Sequence, residues 1–321
     1  MMGSILPSRL RAKENLRNMV SETALNRNGL VWPFFVKAEG RPEKVNGKGI
    51  TRVPLGEVEA FVEPLYELGL KSALLFGVPQ RKDGSGSGAF DGPVQSAIAR
   101  LKRCFPGLNV ITDVCLCQYT DHGHCGIVED GRINRGKTLE ALSKVAVSHA
   151  EAGADVVAPS AMADGQVGAL RRALDAAGFE GTCIMAYSAK YASTLYAPFR
   201  EAAGSSPAFG DRAAYQMDFR NGREGILEGE LDLAEGADIL MVKPAMPYLD
   251  VIKEFRERFT RPIAAYQVSG EYVMIKEYCR ATGTDGTKVA LEMLTCIRRA
   301  GANIIMSYFV PEILKTLERW P

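Results

Sequence analysis

Eight short apolar runs, rich in β-branched and aromatic residues, recur along the chain with helical stretches between them, and this alternation restricts the fold more than any other feature. The runs are LVWPFFV (30–36), SALLFGV (72–78), NVITDVCL (109–116), DVVAPS (155–160), TCIMAYSA (182–189), DILMVKP (238–244), PIAAYQVS (262–269) and NIIMSYF (303–309). Near-continuous apolar strands separated by helices are the signature of a parallel sheet covered on both faces. Helical candidates such as VQSAIARLKRCF, TLEALSKVAVSHAEAG and VALEMLTCIRRAG lie between the runs, and several close on a glycine. Eight βα units predict an α/β fold of the (β/α)8 TIM-barrel type over residues 29–321. The competing architecture, a doubly wound sheet, would carry a phosphate-binding glycine fingerprint after an early strand, and the glycines of RKDGSGSGAFDG miss that spacing. Residues 1–28 are polar and basic with weak helical spacing, and they read as an N-terminal arm with no core of its own.

The 39 Lys and Arg residues nearly balance 38 Asp and Glu, so no net field draws the chain to nucleic acid or to an anionic membrane. No apolar run approaches the roughly 18 residues of a membrane span, and the first residues lack the apolar core of a signal peptide. Seven cysteines without a secretory signal argue for a reducing compartment, the cytoplasm, where clustered cysteines bind metal or do chemistry. A small-molecule substrate is the expected partner.

Three of those cysteines and two of the three histidines fall within the stretch from Thr112 to Cys125. If the strand continues through it, Asp113, Cys115 and Cys117 point the same way, since residues two apart on a strand share a face. Cys125 returns on the following loop. Thiolates at this spacing suit Zn²⁺, and three sulfurs leave a fourth tetrahedral position open for water or substrate, as in catalytic zinc sites. Two alternatives stand beside this: the cysteines are small core residues, or His122 or His124 closes a structural site. Those histidines could also orient the metal ligands or relay protons.

In a barrel the active site lies at the C-terminal ends of the strands, so polar residues that end the apolar runs are informative. They are Asp113, Cys115 and Cys117; Ser160; Ser188 and Lys190; Lys243; Gln267 and Ser269; Ser307 and Tyr308. Two are lysines on neighbouring strands. Strict alternation would set Lys190 on one face with Ile184, Ala186 and Ser188, and Lys243 with Ile239 and Met241. If both faces are inward, burial and mutual repulsion lower the amine pKa and free a nucleophile for ketones. A single lysine at such a place could instead reach the rim or pair with a carboxylate. The long connection 191–218 mixes Gly, Ser and Pro with aromatic residues and two arginines, which suits a lid. Arg200 and Arg212 on it could grip a carboxylate, with Gln216 adding a neutral hydrogen bond.

The residues resemble the 5-aminolevulinate dehydratase, or porphobilinogen synthase, family. The resemblance runs from Arg9 to near the end, and its most specific pieces are DVCLCQYTDHGHCG, VAPSAMADGQV, YSAKYAS, GADILMVKPAMPYLD, YQVSGEY and SYF. It implies a hydro-lyase of tetrapyrrole (haem) biosynthesis that condenses two 5-aminolevulinate molecules, with loss of two waters, to porphobilinogen. It also implies a (β/α)8 barrel whose arm embraces a neighbour in a homo-octamer. By motif, Lys243 resembles the Schiff-base lysine of the propionate-side site and Lys190 its acetate-side partner. Cys115, Cys117 and Cys125 resemble the ligands of the catalytic Zn²⁺, with Asp113 and Ser160 close by for proton handling. Arg200, Arg212 and Gln216 look like the acetate-side carboxylate clamp, Ser269 and Tyr308 like its propionate-side counterpart, and Tyr196 and Phe199 like the pocket's cover. Some relatives replace the cysteines and need Mg²⁺ instead, whereas this chain keeps all three. Glu228 sits where bacterial relatives carry a carboxylate at a regulatory Mg²⁺ site.

Two other readings leave residues without a task. A Schiff-base aldolase on the same barrel needs one strand-end lysine and no thiolates. A zinc clip on an interaction barrel needs the thiolates, a closed fourth ligand and neither lysine.

Overall fold

The computed structural model describes residues 5–45 and 49–317. Each of the eight apolar runs is a strand: Leu30–Lys37 (β1), Ser72–Val78 (β2), Asn109–Val114 (β3), Val156–Pro159 (β4), Cys183–Lys190 (β5), Ile239–Lys243 (β6), Ile263–Gln267 (β7) and Ile304–Ser307 (β8). All neighbours pair in parallel, and β8 returns to β1 through Leu30 opposite Ile305 and Val31 opposite Met306, which closes the barrel. Seven of β1's eight residues are buried, as a strand covered on both faces requires. Two short strands, Glu43–Lys44 and Thr51–Pro54, extend the sheet beside the C-terminal half of β1.

Helices follow the strands and cover the outside, among them Pro93–Cys104, Arg135–Glu151, Gln166–Ala176, Gly222–Ala234 and Gly286–Ala300. Their starts are set by local chemistry. The Asn134 side chain accepts from the Lys137 N–H at 3.0 Å, and Asp285 accepts from Thr287 N–H at 2.9 Å, so each satisfies an otherwise orphaned donor of a first turn. No helix among the described residues is long and apolar enough to cross a membrane.

The arm expectation covers residues 1–28, of which 1–4 lie outside the described residues, as do 318–321 of the expected barrel domain. From residue 5 to residue 29 no side chain is buried, although Ile5, Leu10 and Met19 are apolar. The segment forms a turn of 3-10 helix at Pro7–Arg11 and a short helix at Glu14–Met19.

Two expectations about the strands are corrected. β3 ends at Val114 rather than 116, so Cys115 and Cys117 sit on the turn that follows, not on the strand face beside Asp113. In β5 the alternation breaks. Ala186 pairs with Leu240 while Ala189 pairs with Val242, so β5 carries one more residue than β6 between the same two rungs. The bulge sends two consecutive side chains outward: Ser188 bonds Asp232 on the covering helix Gly222–Ala234, and a Cβ on Gly225 of that helix would stand 3.3 Å from the Ala189 methyl. Lys190 therefore enters the barrel in the company of Tyr187, not of Ile184, Ala186 and Ser188. β6 has no such insertion, and Lys243 keeps the parity of Ile239 and Met241.

Candidate active site and metal centre

The bulge brings the two lysines into register. Lys190 and Lys243 are the last residues of β5 and β6, pair directly across the sheet, and are both buried. Lys190 donates to the Ser160 carbonyl at the end of β4. Lys243 Nζ is ringed by aromatic faces: Tyr266 at 4.2 Å, Tyr187 at 5.0 Å, Phe199 at 5.1 Å and Tyr196 at 5.3 Å from the ring centroids. Burial, reinforced by the nearby Lys190 charge, lowers the Lys243 pKa to about 7. An amine poised there is a nucleophile at neutral pH.

Asp113 lies in the same cavity, with Cys117, Ser160, Arg212 and both lysines on its walls. Desolvation raises the Asp113 pKa against the pull of the Ser160 hydroxyl and of the two ammonium groups. Gln118 Nε2 donates to Asp113 Oδ2 at 2.9 Å and fixes the carboxylate's orientation.

The Cys115, Cys117 and Cys125 sulfurs lie within 4.8 Å of one another, all buried, and the first two are 3.5 Å apart. A tetrahedral ion with Zn–S bonds of about 2.3 Å needs sulfurs about 3.8 Å apart, so the donor set fits zinc. Hydrogen bonds from the Cys115 and Cys117 thiols hold Cys125 well below an ordinary thiol pKa, while the same bonding pushes Cys115 up. A thiol lowered in this way is suited to bind a metal ion as the thiolate. Neither histidine joins it. Both ring nitrogens of His124 are engaged, with the Tyr215 hydroxyl at 3.1 Å and the Phe209 carbonyl at 3.0 Å, and His122 Nδ1 accepts from the His124 N–H. His124 fastens the cysteine loop to the 191–218 connection. Among the described residues, only these three cysteines form a set of His, Cys, Asp or Glu side chains close enough to share one ion.

The 191–218 connection folds over the cavity, with a helix at Ala197–Ala203 closed by Gly204. Phe199 packs on Phe76 and Phe35 at 4.9 and 5.3 Å, its N–H donates to Ser269 Oγ at 2.9 Å, and the Tyr196 hydroxyl donates to the Lys243 carbonyl at 3.2 Å. Arg52 and Lys82 donate to the carbonyls at that helix's C-terminus, a favourable place for cations. Gly270 permits the close approach: a Cβ there would stand 2.4 Å from the Leu195 carbonyl oxygen. Gly270→Ala should therefore push the lid outward, speed proteolytic cutting within 191–218 and cost about 1–3 kcal/mol of stability by thermal unfolding. Cutting at the wild-type rate would mean that the lid does not rest on this contact.

Beneath the lid several polar atoms are buried without a partner among the described residues: Arg200 Nε, Arg212 Nε and both ends of the Gln216 amide. Arg212 also donates to the Gly123 and Ser205 carbonyls, which fixes its guanidinium in place. The three nitrogens among them, Arg200 Nε, Arg212 Nε and Gln216 Nε2, are unspent donors that an incoming carboxylate would satisfy. Ser269 is engaged with the lid backbone, and the Tyr308 hydroxyl lies 3.4 Å from that of Tyr266. Glu228 stands apart on the outer helix Gly222–Ala234. Burial and the neighbouring Asp164, Glu224 and Glu235 charges raise its pKa, and the cavity it lines also holds Asp232.

Sequence reasoning missed Tyr187, Tyr266 and Gln118. Tyr187 was hidden by the bulge, which no alternation rule reveals, and its buried hydroxyl has no partner among the described residues. Gln118 was legible only as a polar residue inside the cysteine loop.

A family model described as delta-aminolevulinic acid dehydratase matches residues 5–316. Proteins named delta-aminolevulinic acid dehydratase align along nearly the whole chain. That of Archaeoglobus fulgidus is 52% identical over 95% of this chain and 96% of its own. That of Bacillus subtilis is 44% identical over 96% and 97%. The crystal structure of delta-aminolevulinic acid dehydratase (porphobilinogen synthase) from Toxoplasma gondii, in complex with the reaction product porphobilinogen, superimposes with a TM-score of 0.94 at 38% identity, covering 97% of this chain and 91% of that one.

Proposed function

The chain belongs to the delta-aminolevulinic acid dehydratase family and makes porphobilinogen from two 5-aminolevulinate molecules, and we propose that it does so through imines on Lys190 and Lys243 beside a zinc ion held by Cys115, Cys117 and Cys125. The observation that carries this reading is the direct pairing of the two buried lysines at adjacent strand ends, with Cys117 on the wall of the same cavity.

The neutral Lys243 amine adds to the ketone of one substrate, and the carbinolamine takes up a proton on its hydroxyl and expels water, giving a protonated imine. Four aromatic faces around Nζ stabilise that cation. The imine draws electrons from the adjacent carbon, which makes that carbon reactive toward the second substrate. Lys190, held by the Ser160 carbonyl, captures the second ketone. Asp113 has its pKa raised by burial and is oriented by Gln118, so it can take up and return a proton near both lysines. A zinc ion held by the three cysteine sulfurs would supply Lewis acidity beside the second substrate. Arg200, Arg212 and Gln216 would grip that substrate's carboxylate, while Ser269 and Tyr308 would meet the first one's after the lid shifts.

Arg200→Ala tests the assignment of the two sides. Losing a charge-assisted bond of about 1.5–3 kcal/mol should raise KM about ten- to a hundredfold while 5-aminolevulinate is still captured on Lys243. Unchanged KM and kcat would put Arg200 outside the site.

The free cysteines favour a reducing cytoplasm, and the exposed apolar residues of the arm favour burial on a neighbouring subunit in a homo-octamer. Deleting residues 1–28 should yield smaller particles in light scattering; a full-length chain that is monomeric at micromolar concentration would refute the arm's role. Glu228 would serve as a ligand of a regulatory Mg²⁺ separate from the zinc.

A further inference from the structure

Glu271 is the third residue of the helix Ser269–Thr282 and is 1% exposed, yet it is a carboxylate with no ion pair among the described residues. Its two oxygens go to two different elements. Oε2 accepts from the N–H of Val268, which caps its own helix. Oε1 reaches across to the N–H of Met246, and the Ala245 N–H bonds the same carboxylate. Val268 is the first residue after β7, and Ala245 and Met246 follow directly on Lys243 and Pro244 at the end of β6. These two strands are neighbours in the barrel, with Val242 opposite Ala265. A second tie joins the same exits, since Gln267 Nε2 lies 3.6 Å from Met246 Sδ. Helix capping alone needs one acceptor, which an amide or a hydroxyl would provide without the cost of a buried charge. Burial pushes the Glu271 carboxyl up to about 7, so this charge is held at a cost.

The contacts on either side explain what that cost maintains. Lys243 emerges from the strand end that Glu271 grips, and the lid touches both exits: the Tyr196 hydroxyl bonds the Lys243 carbonyl and the Phe199 N–H bonds Ser269. We propose that Glu271 is a positioning residue for the imine step, its carboxylate locking the backbone beyond Lys243 to the β7 exit so that Lys243 Nζ is held among the four aromatic rings at the angle from which it attacks the ketone. The inference rests on the assignment of Lys243 as the imine-forming lysine. A helix cap without this function would affect stability and nothing at the amine.

The test uses the full-length, zinc-loaded enzyme. Glu271→Gln keeps shape and volume but turns one acceptor into an NH₂ group facing an N–H, and Glu271→Asp keeps the charge but is too short to serve both exits at once. The expected result is a fall in kcat of about ten- to a hundredfold, with zinc content retained and KM little changed. The rate at which borohydride traps 5-aminolevulinate on the Lys243 peptide should fall in step with kcat. Should the Gln variant fail to fold, the Asp variant carries the same measurement. Trapping on Lys243 at the wild-type rate in a folded variant would overturn the inference, as would a loss of trapping that merely tracks loss of zinc or of folded protein. A wild-type enzyme that forms no Lys243 adduct would instead refute the lysine assignment itself, so the two failures are distinguishable.

Discussion

Replacing Lys243 by alanine should lower kcat by at least about 10⁴-fold, the scale of losing a covalent nucleophile, while the barrel still folds. Lys190 cannot take over, because it ends the neighbouring strand and is assigned to the second substrate, so one amine would have to serve two ketones. The pH dependence should carry the same signature. Only the neutral amine attacks, and its pKa is lowered to about 7, so kcat/KM should rise as pH climbs through that region and then level off. Stability should follow the opposite logic. A lysine whose folded pKa is lowered binds its proton more weakly in the native state than in the unfolded chain. Its burial therefore costs nothing above the ordinary lysine pKa, and the cost grows as pH falls, reaching its full value below about 7. Relative to wild type, Lys243→Ala should thus fare best at neutral and acidic pH, where the cavity it leaves is offset by the removal of this cost. Thermal unfolding across pH, paired with steady-state rates, reads both effects. A variant that keeps more than a hundredth of wild-type turnover would be incompatible with the mechanism.

Cys117→Ser should have the second largest effect. Cys117 is the cysteine of the cluster that lines the lysine cavity, and its replacement leaves two sulfurs and a poor oxygen donor where three buried thiols lie close enough to share one ion. Zinc content should fall below one per chain, and turnover should drop about 10³-fold, the order expected for losing several kcal/mol of Lewis-acid stabilisation. Removing zinc from the wild type by chelation should do the same, and adding zinc back should restore the wild type alone. The low pKa of Lys243 comes first from burial and then from Lys190, neither of which depends on a bound ion. Capture of the first substrate should therefore survive both treatments. Full zinc and full activity in Cys117→Ser would remove this cysteine from the metal centre.

Much of the fold was legible in the sequence because a parallel barrel buries its strands on both faces, so each strand is an apolar run that can be counted. The lysines could be found because they end such runs. Details that depend on one-residue shifts were not legible. Period-two alternation placed Ser188 beside Lys190, but the extra residue in β5 turns Ser188 toward Asp232 and puts Tyr187 against both amines. The cysteine spacing pointed to a cluster of three sulfurs, and the cluster forms although β3 stops at Val114, since a turn can gather three sulfurs as well as a strand can. The roles of His124 and Glu271 depend on partners distant in sequence, Tyr215 and Phe209 for one and Met246 for the other, and no local pattern encodes them.

The most direct test of the central claim is peptide mass spectrometry after borohydride reduction in the presence of 5-aminolevulinate, carried out on zinc-loaded and on chelated enzyme. The peptide containing Val242, Lys243 and Pro244 should carry one reduced substrate adduct in both samples, although only the zinc-loaded enzyme turns over. An active enzyme that yields no adduct on that peptide would contradict the account.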